Sequence, residues 1–399
     1  MSRGIRIGFG DTPQTVQLSS GRYGVMSPKI GLSTGGGAMT LPLSYGTYVL
    51  SGQSVILSGS SLGFTPDSGI TTSGTFSDGQ SVTINKVAGG FGTKPNAAKP
   101  VFYAKLDSSL APDPSFSRTT STPTADASTI IQNTIKPVNA SGAGRVDARA
   151  ENVTSPVFYQ QYIDIGITAL TGKCYAFMKN YKDHPWNYYQ GGNPDYVSDK
   201  SFRIWENAGA NNTSDVWWGA DTGMYVDNID TGGNVFYGSG GQGGTGIPAT
   251  QSAWMTREHF WDSGTADVTD GVRNYCQDGI LGYSTSAVWK NRTSSDPGLV
   301  KQVFLDEYTS TASYPTGVLI GYDYFHDLYV DDSFYRIMVS TESSLSWTGS
   351  AVREICLPTS WSDTSVTVTL RQGAFTSLSG KYLWVYTGPF TATRVGQFN

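Results

Sequence analysis

The chain has 399 residues and a formal net charge of -5, with 15% charged residues against about 25% in an average soluble domain. Aromatic residues reach 13%, with Trp 10, Tyr 23 and Phe 17, which is enough apolar material for a sizeable core and argues against wholesale disorder. The acidic balance argues against a nucleic-acid partner, which needs a basic stripe to displace counterions. No run of about 18 apolar residues is present to insert into a membrane as a helix.

The start, Met1-Ser2-Arg3-Gly4-Ile5-Arg6-Ile7-Gly8, has glycines and arginines where a secretory leader needs an unbroken apolar stretch. The expectation is a protein made in a host cytoplasm and released without a signal peptide. Residues 1–48 are rich in Gly, Ser and Thr with scattered aromatics, and are expected to form an extended N-terminal arm on the main body or on a neighbouring subunit. Gly52-Gln53-Ser54-Val55-Ile56-Leu57 recurs as Gly79-Gln80-Ser81-Val82-Thr83-Ile84, which reads as two similar strands of one small sandwich. Segment 111–144, rich in Ser, Thr, Pro and Ala, reads as a surface excursion or linker.

No window of 12 or more residues carries the apolar spacing of a helix. Short alternating or β-branched runs at 53–57, 80–84, 318–322, 328–331, 334–339, 365–370 and 382–386, separated by Gly, Ser, Asn and Asp, predict strands of sandwiches or barrels. Aromatic density climbs after residue 155 and stays high to about 347. Cys174, Cys276 and Cys356 are odd in number and far apart, which predicts buried free thiols and neither a metal site nor a disulfide framework.

Gly79-Gln80-Ser81-Val82-Thr83-Ile84, leading to Gly89, Gly90, Phe91 and Gly92, resembles the strand and turn of Ig-like (IPT/TIG) modules, in which the glycines would supply a positive-φ turn. The run Trp361-Ser362-Asp363-Thr364-Ser365-Val366-Thr367-Val368, followed by Tyr382-Leu383-Trp384-Val385-Tyr386, resembles the closing strands of the same module. The middle resembles concanavalin A-like, laminin-G-like jelly rolls. That likeness rests on the Trp254–Asp262 strand, Asp270-Gly271, Asp278-Gly279, and Tyr322-Asp323-Tyr324 before Leu328-Tyr329-Val330-Asp331-Asp332. The resemblances imply an all-β protein, a concanavalin A-like jelly-roll sandwich plus a small Ig-like β-sandwich and an extended N-terminal arm. The division they imply is 1–48 arm, 49–98 first half of the Ig-like module, 99–345 jelly roll and 346–399 closing strands. The combination resembles bacteriophage virion proteins, head decorations or tail fibres, whose partners would be other copies, other virion proteins and cell-surface polysaccharide.

Candidate chemistry is sparse. Glu258 and Asp262 lie four apart on one strand, so about 13 Å of rise separates their backbones, too far for a retaining glycosidase pair. A polysaccharide lyase needs a His or Tyr base and a cationic or amide group. His259 and Arg257, sharing one strand face, with Tyr283, are the candidate set for that alternative, against a structural histidine. His326 is expected at a turn preceding a strand. Sugars stack their C–H faces on flat rings, and the loop at 181–196 offers Trp186, Tyr188 and Tyr189 for this, joined by Trp217 and Trp218. Core packing or subunit contact is the competing account of those rings. Asp323, Asp327 and Asp331 are the candidate ligands of a structural calcium, with solvated acidic turns as the alternative, and no other cofactor is expected. The glycine run from Gly238 to Gly246 has no following Lys-Ser/Thr and so is no P-loop. The leading reading is a structural, adhesive virion protein with an outward glycan-binding jelly roll. The alternatives are a lyase on the same jelly roll and a self-assembling surface-layer or filament subunit.

Overall fold

In the computed structural model the chain is all-β, with no helix among the described residues, which are 5–9, 12–16, 63–107, 109, 111–118, 124–125, 131–133, 137–150, 159–160, 163–166, 172–182, 197–207, 211–219, 223–227, 253–292, 294, 300, 302–311, 319–349 and 351–399. Three sheets carry the fold. The outer sheet orders β15 (Gly223–Asp227), β14 (Asn211–Gly219), β13 (Val197–Asn207), β19 (Gln302–Thr311), β11 (Ile163–Gly166) and β7 (Thr124–Ala125), with β10 (Tyr159–Gln160) also on β19. The central sheet orders β18 (Ile280–Leu281), β17 (Val272–Gln277), β16 (Met255–Asp262), β12 (Lys173–Lys182), β20 (Leu319–Asp331), β9 (Ala143–Ala150) and β8 (Ile131–Asn133), with β6 (Phe102–Ala104) also on β20. The C-terminal sheet orders β3 (Phe64–Pro66), β25 (Ala392–Phe398), β24 (Tyr382–Tyr386), β21 (Arg336–Ser340), β22 (Arg353–Trp361), β23 (Ser365–Thr369), β5 (Ser81–Lys86) and β4 (Ile70–Gly74). The ladders that build all three are antiparallel.

Outer and central sheets form the jelly-roll sandwich. Ile165, Ile204 and Val303 of the outer sheet meet Cys174, Ala176, Met178, Trp261, Phe325 and Val330 of the central one in a single apolar cluster. The other face of the central sheet, with Tyr175, Phe177, Phe260 and Tyr329, packs on Met338, Ile355, Leu357, Trp384 and Tyr386 of the C-terminal sheet. The central sheet is therefore buried on both faces. This is why β12 is buried without interruption from Cys174 to Asn180 and β16 from Met255 to Trp261, where a one-sided strand would alternate.

The C-terminal sheet encloses its own core. β22 pairs with β21 through Arg353–Cys356 and, from Leu357 onward, with β23, across a bulge between Pro358 and Ser360. The sheet folds over there, so that Val82, Ile84, Val366 and Val368 share a core with Ile337, Val339, Leu383 and Val385. Strand β5 thus joins β23, 284 residues away at the Thr83–Thr367 hydroxyl contact. β21 belongs to this sheet, on the N-terminal side of the division placed at 345.

Several local features differ from expectation. Gly89 and Gly92 adopt positive φ (70° and 73°) as the turn after β5 requires, but Gly90 does not; a Cβ there would sit 2.0 Å from Asp363 Oδ1, so close approach is its constraint. Asp278 and Gly279, both at positive φ, form the tight turn between β17 and β18, as an Asp-Gly hairpin of type I′ does. Within the stretch read as an extended arm, β1 (Ile5–Phe9) and β2 (Thr12–Val16) pair as a two-stranded ribbon. The first copy of the near-repeat, 52–57, lies outside the described residues. Segment 111–144 is more than a linker, since β7, β8 and the start of β9 fall within it. Cys174, Cys276 and Cys356 are buried and free.

Candidate functional site

Side-chain chemistry concentrates at three places on the central sheet. The first is the face of β16 and β17 that turns toward the outer sheet. Arg257 and His259 have the parity of Met255 and Trp261, which lie in the sandwich core, whereas Tyr175 donates to Glu258 on the opposite face (2.8 Å). Register sets His259 between Ala176 and Tyr275, and Arg257 between Met178 and Gln277. Tyr283 follows β18 and packs edge-on against Tyr275 (6.2 Å between centroids) and Trp289 (5.0 Å). The fold thus places Tyr275 between His259 and Tyr283, while Arg257 lies on the same face of β16 opposite Gln277. His259 is 2% exposed. Burial, with the neighbouring Arg273, pushes its pKa down to about 3. A general base works best with a pKa near the operating pH, and this imidazole lies far below it.

The second place is a bulge in β20. Phe177 pairs with Tyr329 but Lys179 with His326, so β20 carries one extra residue, and Asp327 takes a left-handed φ of 54° that Asp tolerates better than most residues. The bulge lets neighbours 326 and 327 meet. His326 Nδ1 lies 2.8 Å from Asp327 Oδ2, and Nε2 lies 2.9 Å from Asp107 Oδ1. Tyr103 donates to Asp327 (2.7 Å). Lys179 ion-pairs with Asp327 (3.2 Å) and with Glu354 of the C-terminal sheet (2.5 Å). Burial pulls His326 down, but the two carboxylates outweigh it and raise its pKa above the ordinary histidine value. Burial opposes ionisation of Asp327 too, yet His326 and Lys179 hold it well below the usual carboxylate range. A cavity of about 30 Å³ opens here, lined by Asp78, Lys105, Asn139, His326, Asp327 and Arg371 among others. It has room for a water or two and is an order of magnitude smaller than a small-molecule pocket. His326 therefore lies within a 13-residue strand and not at a turn before one: charged partners from three segments satisfy the polar run in place of solvent.

The third is the end of β20. Asp331 contacts Lys94 (2.8 Å) and Arg118 (2.9 Å), and Arg118 also reaches Asp332 (2.5 Å), which accepts from Asn96 (2.6 Å). Burial lifts Asp331 to about 7 despite the two cations.

The calcium candidates are thus held by cations of the chain itself at Asp327 and Asp331. Asp323 is buried on the same strand, paired in register with Lys182 and Val146. Among the described residues no group of three His, Cys, Asp or Glu is arranged to hold a metal ion. Of the glycan candidates, Trp186, Tyr188 and Tyr189 lie outside the described residues. Trp217 and Trp218 are consecutive on β14, opposite Lys200 and Asp199 of β13 and Tyr225 and Met224 of β15. β14 and β15 are the last two strands at one end of the outer sheet, the layer farthest from the C-terminal sheet. Sequence reasoning missed Lys94, Arg118, Lys179, Arg336, Arg353 and Glu354. Lys179, Arg336, Arg353 and Glu354 are charges in strands, and Lys94 and Arg118 lie in the loops before and after β6, where nothing in the sequence distinguishes them from solvated residues.

No protein-family model and no curated protein matches the chain. Solved structures similar to it include alginate lyase Aly36B (14% identity, 59% of this chain and 98% of that one, TM-score 0.35), the marine PL-14 alginate lyase from Aplysia kurodai (12%, 58% and 99%, TM-score 0.37), and the receptor-binding domain of botulinum neurotoxin type G (8%, 75% and 79%, TM-score 0.34). Similarity at this level transfers no residue role to this chain.

Proposed function

We propose that the chain is a structural, adhesive component of a virus-like particle, of the capsid-decoration or fibre kind, whose jelly roll meets cell-surface polysaccharide. The Ig-like C-terminal part and the N-terminal arm would hold it to other copies or other virion proteins. The observation that carries the reading is the order of the layers. The C-terminal sheet lies against one face of the central sheet and the outer sheet against the other, so the aromatic strands β14 and β15 are on the side away from the C-terminal sheet. A molecule with an anchoring end and a ring-rich end suits attachment. A glycan array followed by calorimetry with a bound polysaccharide tests it. Saturable binding that Trp217→Ala or Trp218→Ala weakens at least tenfold is expected, and silence on every surface glycan would contradict it.

A lyase is the second reading, favoured by Tyr275 standing beside both His259 and Tyr283, with Arg257 on the same face of β16. Against it stands the 2% exposure of His259 and its pKa of about 3. Formation of an unsaturated uronate product from uronic-acid polymers, abolished by His259→Ala in a folded variant, would establish the lyase and displace adhesion as the leading function.

A further inference from the structure

Lys94 follows the glycine turn after β5, and its side chain and that of Asp331 are both fully inaccessible to solvent. Its Nζ stands 2.8 Å from Asp331 Oδ2 and 3.1 Å from Oδ1, and also donates to the carbonyl of Ala97 (2.7 Å). The two carboxylate oxygens have different surroundings. Oδ1 accepts from the backbone N–H of Asp332 and from the guanidinium of Arg118, both at 2.9 Å. Oδ2 accepts from the hydroxyl of Tyr329 at 3.2 Å. Fixed donors on one oxygen are what stabilise the negative charge of a tetrahedral intermediate. A hydroxyl within hydrogen-bond reach of the other can relay a proton to a departing oxygen.

From this juxtaposition we propose that Lys94 and Asp331 condense within the folded chain to an isopeptide bond. Movement of Nζ out of the carboxyl plane brings it over Cγ; the Nζ lone pair adds to Cγ, and Oδ1 takes the charge, held by Asp332 N–H and Arg118. One amine proton passes by way of the Tyr329 hydroxyl to Oδ2, which already carries the carboxyl proton and leaves as water. One N–C bond forms, one C–O bond breaks, and no oxidant or reductant is consumed. The ion pair and the amine–carboxyl pair hold the same number of protons, so transfer of one proton from Nζ to the carboxylate supplies the two reacting forms. Burial of Asp331, lifting it to about 7, makes the acid form accessible near neutrality. Holding amine and carboxyl in contact replaces an encounter in solution with an intramolecular step. Lys179, a second buried lysine among the described residues, differs. Glu354 and Asp327 on either side outweigh its burial and raise its pKa, so its amine stays protonated and is no nucleophile.

The bond would tie the segment after β5 to the end of β20, closing a loop that contains almost the whole jelly roll and withdrawing that loop's freedom from the unfolded chain. The test is the intact mass of the denatured full-length protein after incubation at neutral pH, followed by proteolysis and fragment sequencing. A mass one water below that of the sequence, with a branched peptide joining Lys94 to Asp331, is expected. Lys94→Arg and Asp331→Ala should keep the full sequence mass, and Tyr329→Phe should lose the water more slowly. Wild-type protein that is folded by circular dichroism and retains its full mass over days would overturn the proposal. So would a lost water mapping to Lys179 or to a cyclised Asp270-Gly271 or Asp278-Gly279.

Discussion

The two faces of the C-terminal sheet are built by the same strands and held by different means. On β24, Leu383 and Val385 face the sheet's own core while Trp384 and Tyr386 face the central sheet. On β21, Ile337 and Val339 go inward and Met338 outward. The inner core is aliphatic with a few rings, and its stability follows the apolar area removed from water. The seam contains ions. Arg336, fully buried, stacks over Tyr386 (4.0 Å), Tyr175 (4.5 Å) and Phe260 (5.1 Å) and donates to the carbonyls of Phe334, Gly388 and Pro389. Arg353 stacks over Trp347 (4.0 Å) and donates to Glu342 and to the Ser346 carbonyl. Glu258 lies 3.5 Å from the first guanidinium and 3.6 Å from the second. Desolvating such groups offsets most of their attraction. What they add is selectivity, because any other docking of the two sheets would strand a buried charge.

That contrast can be broken most sharply at Arg336. Arg336→Ala removes the stacked cation and leaves Glu258 short of a partner, and a loss of about 3–5 kcal/mol is expected by urea unfolding. A loss under about 1 kcal/mol would show that the ions are bystanders. Leu383→Ala, on the other face, should cost about 3 kcal/mol through lost transfer energy and the cavity left behind, and it should leave the seam aromatics undisturbed in near-ultraviolet circular dichroism.

The two buried histidines among the described residues sharpen the comparison further, because their pKa values shift in opposite senses. The folded pKa of His326 is raised, so its stabilisation is complete below about 6.5 and is lost as pH rises through the folded value. The folded pKa of His259 is lowered to about 3, so the unfolded chain binds the extra proton and stability falls as pH drops from about 6.5 toward 3. His326→Gln should flatten the alkaline limb of stability against pH and His259→Gln the acid limb; interchange of the two effects would refute the assignment. The smallest effect is expected at the rim, where Arg394 pairs with Asp67 at 2.7 Å but both side chains keep about a third of their surface (37% and 30%). Arg394→Ala should cost at most about 1 kcal/mol and less in high salt.

Much of the fold was legible in the residues. The strands at 80–84, 365–370 and 382–386 form where alternation and β-branching predict them, because each has one face on a core and one toward solvent or another layer. Legibility fails where a strand is covered twice. The runs 318–322 and 328–331 read as separate strands because Asp323, His326 and Asp327 interrupt the apolar pattern. The structure makes them one strand, β20, since the seam supplies Lys179, Tyr103 and Asp107 as partners. The proximity of His259 to Tyr283 was only partly legible. Shared parity put Arg257 beside His259, but the link through Tyr275 depends on β16–β17 register and a turn, which no single strand encodes. Lys94 gave no signal at all, because its partner is 237 residues away.

The proposed function requires rings that meet a saccharide without breaking it, and calorimetry in which a surface polysaccharide is titrated into the protein reads both halves at once. Heat pulses that saturate and return to the baseline after each addition are the predicted result. A steady heat flow that lasts while polymer remains, accompanied by rising ultraviolet absorbance, would contradict it, because only turnover produces that signal.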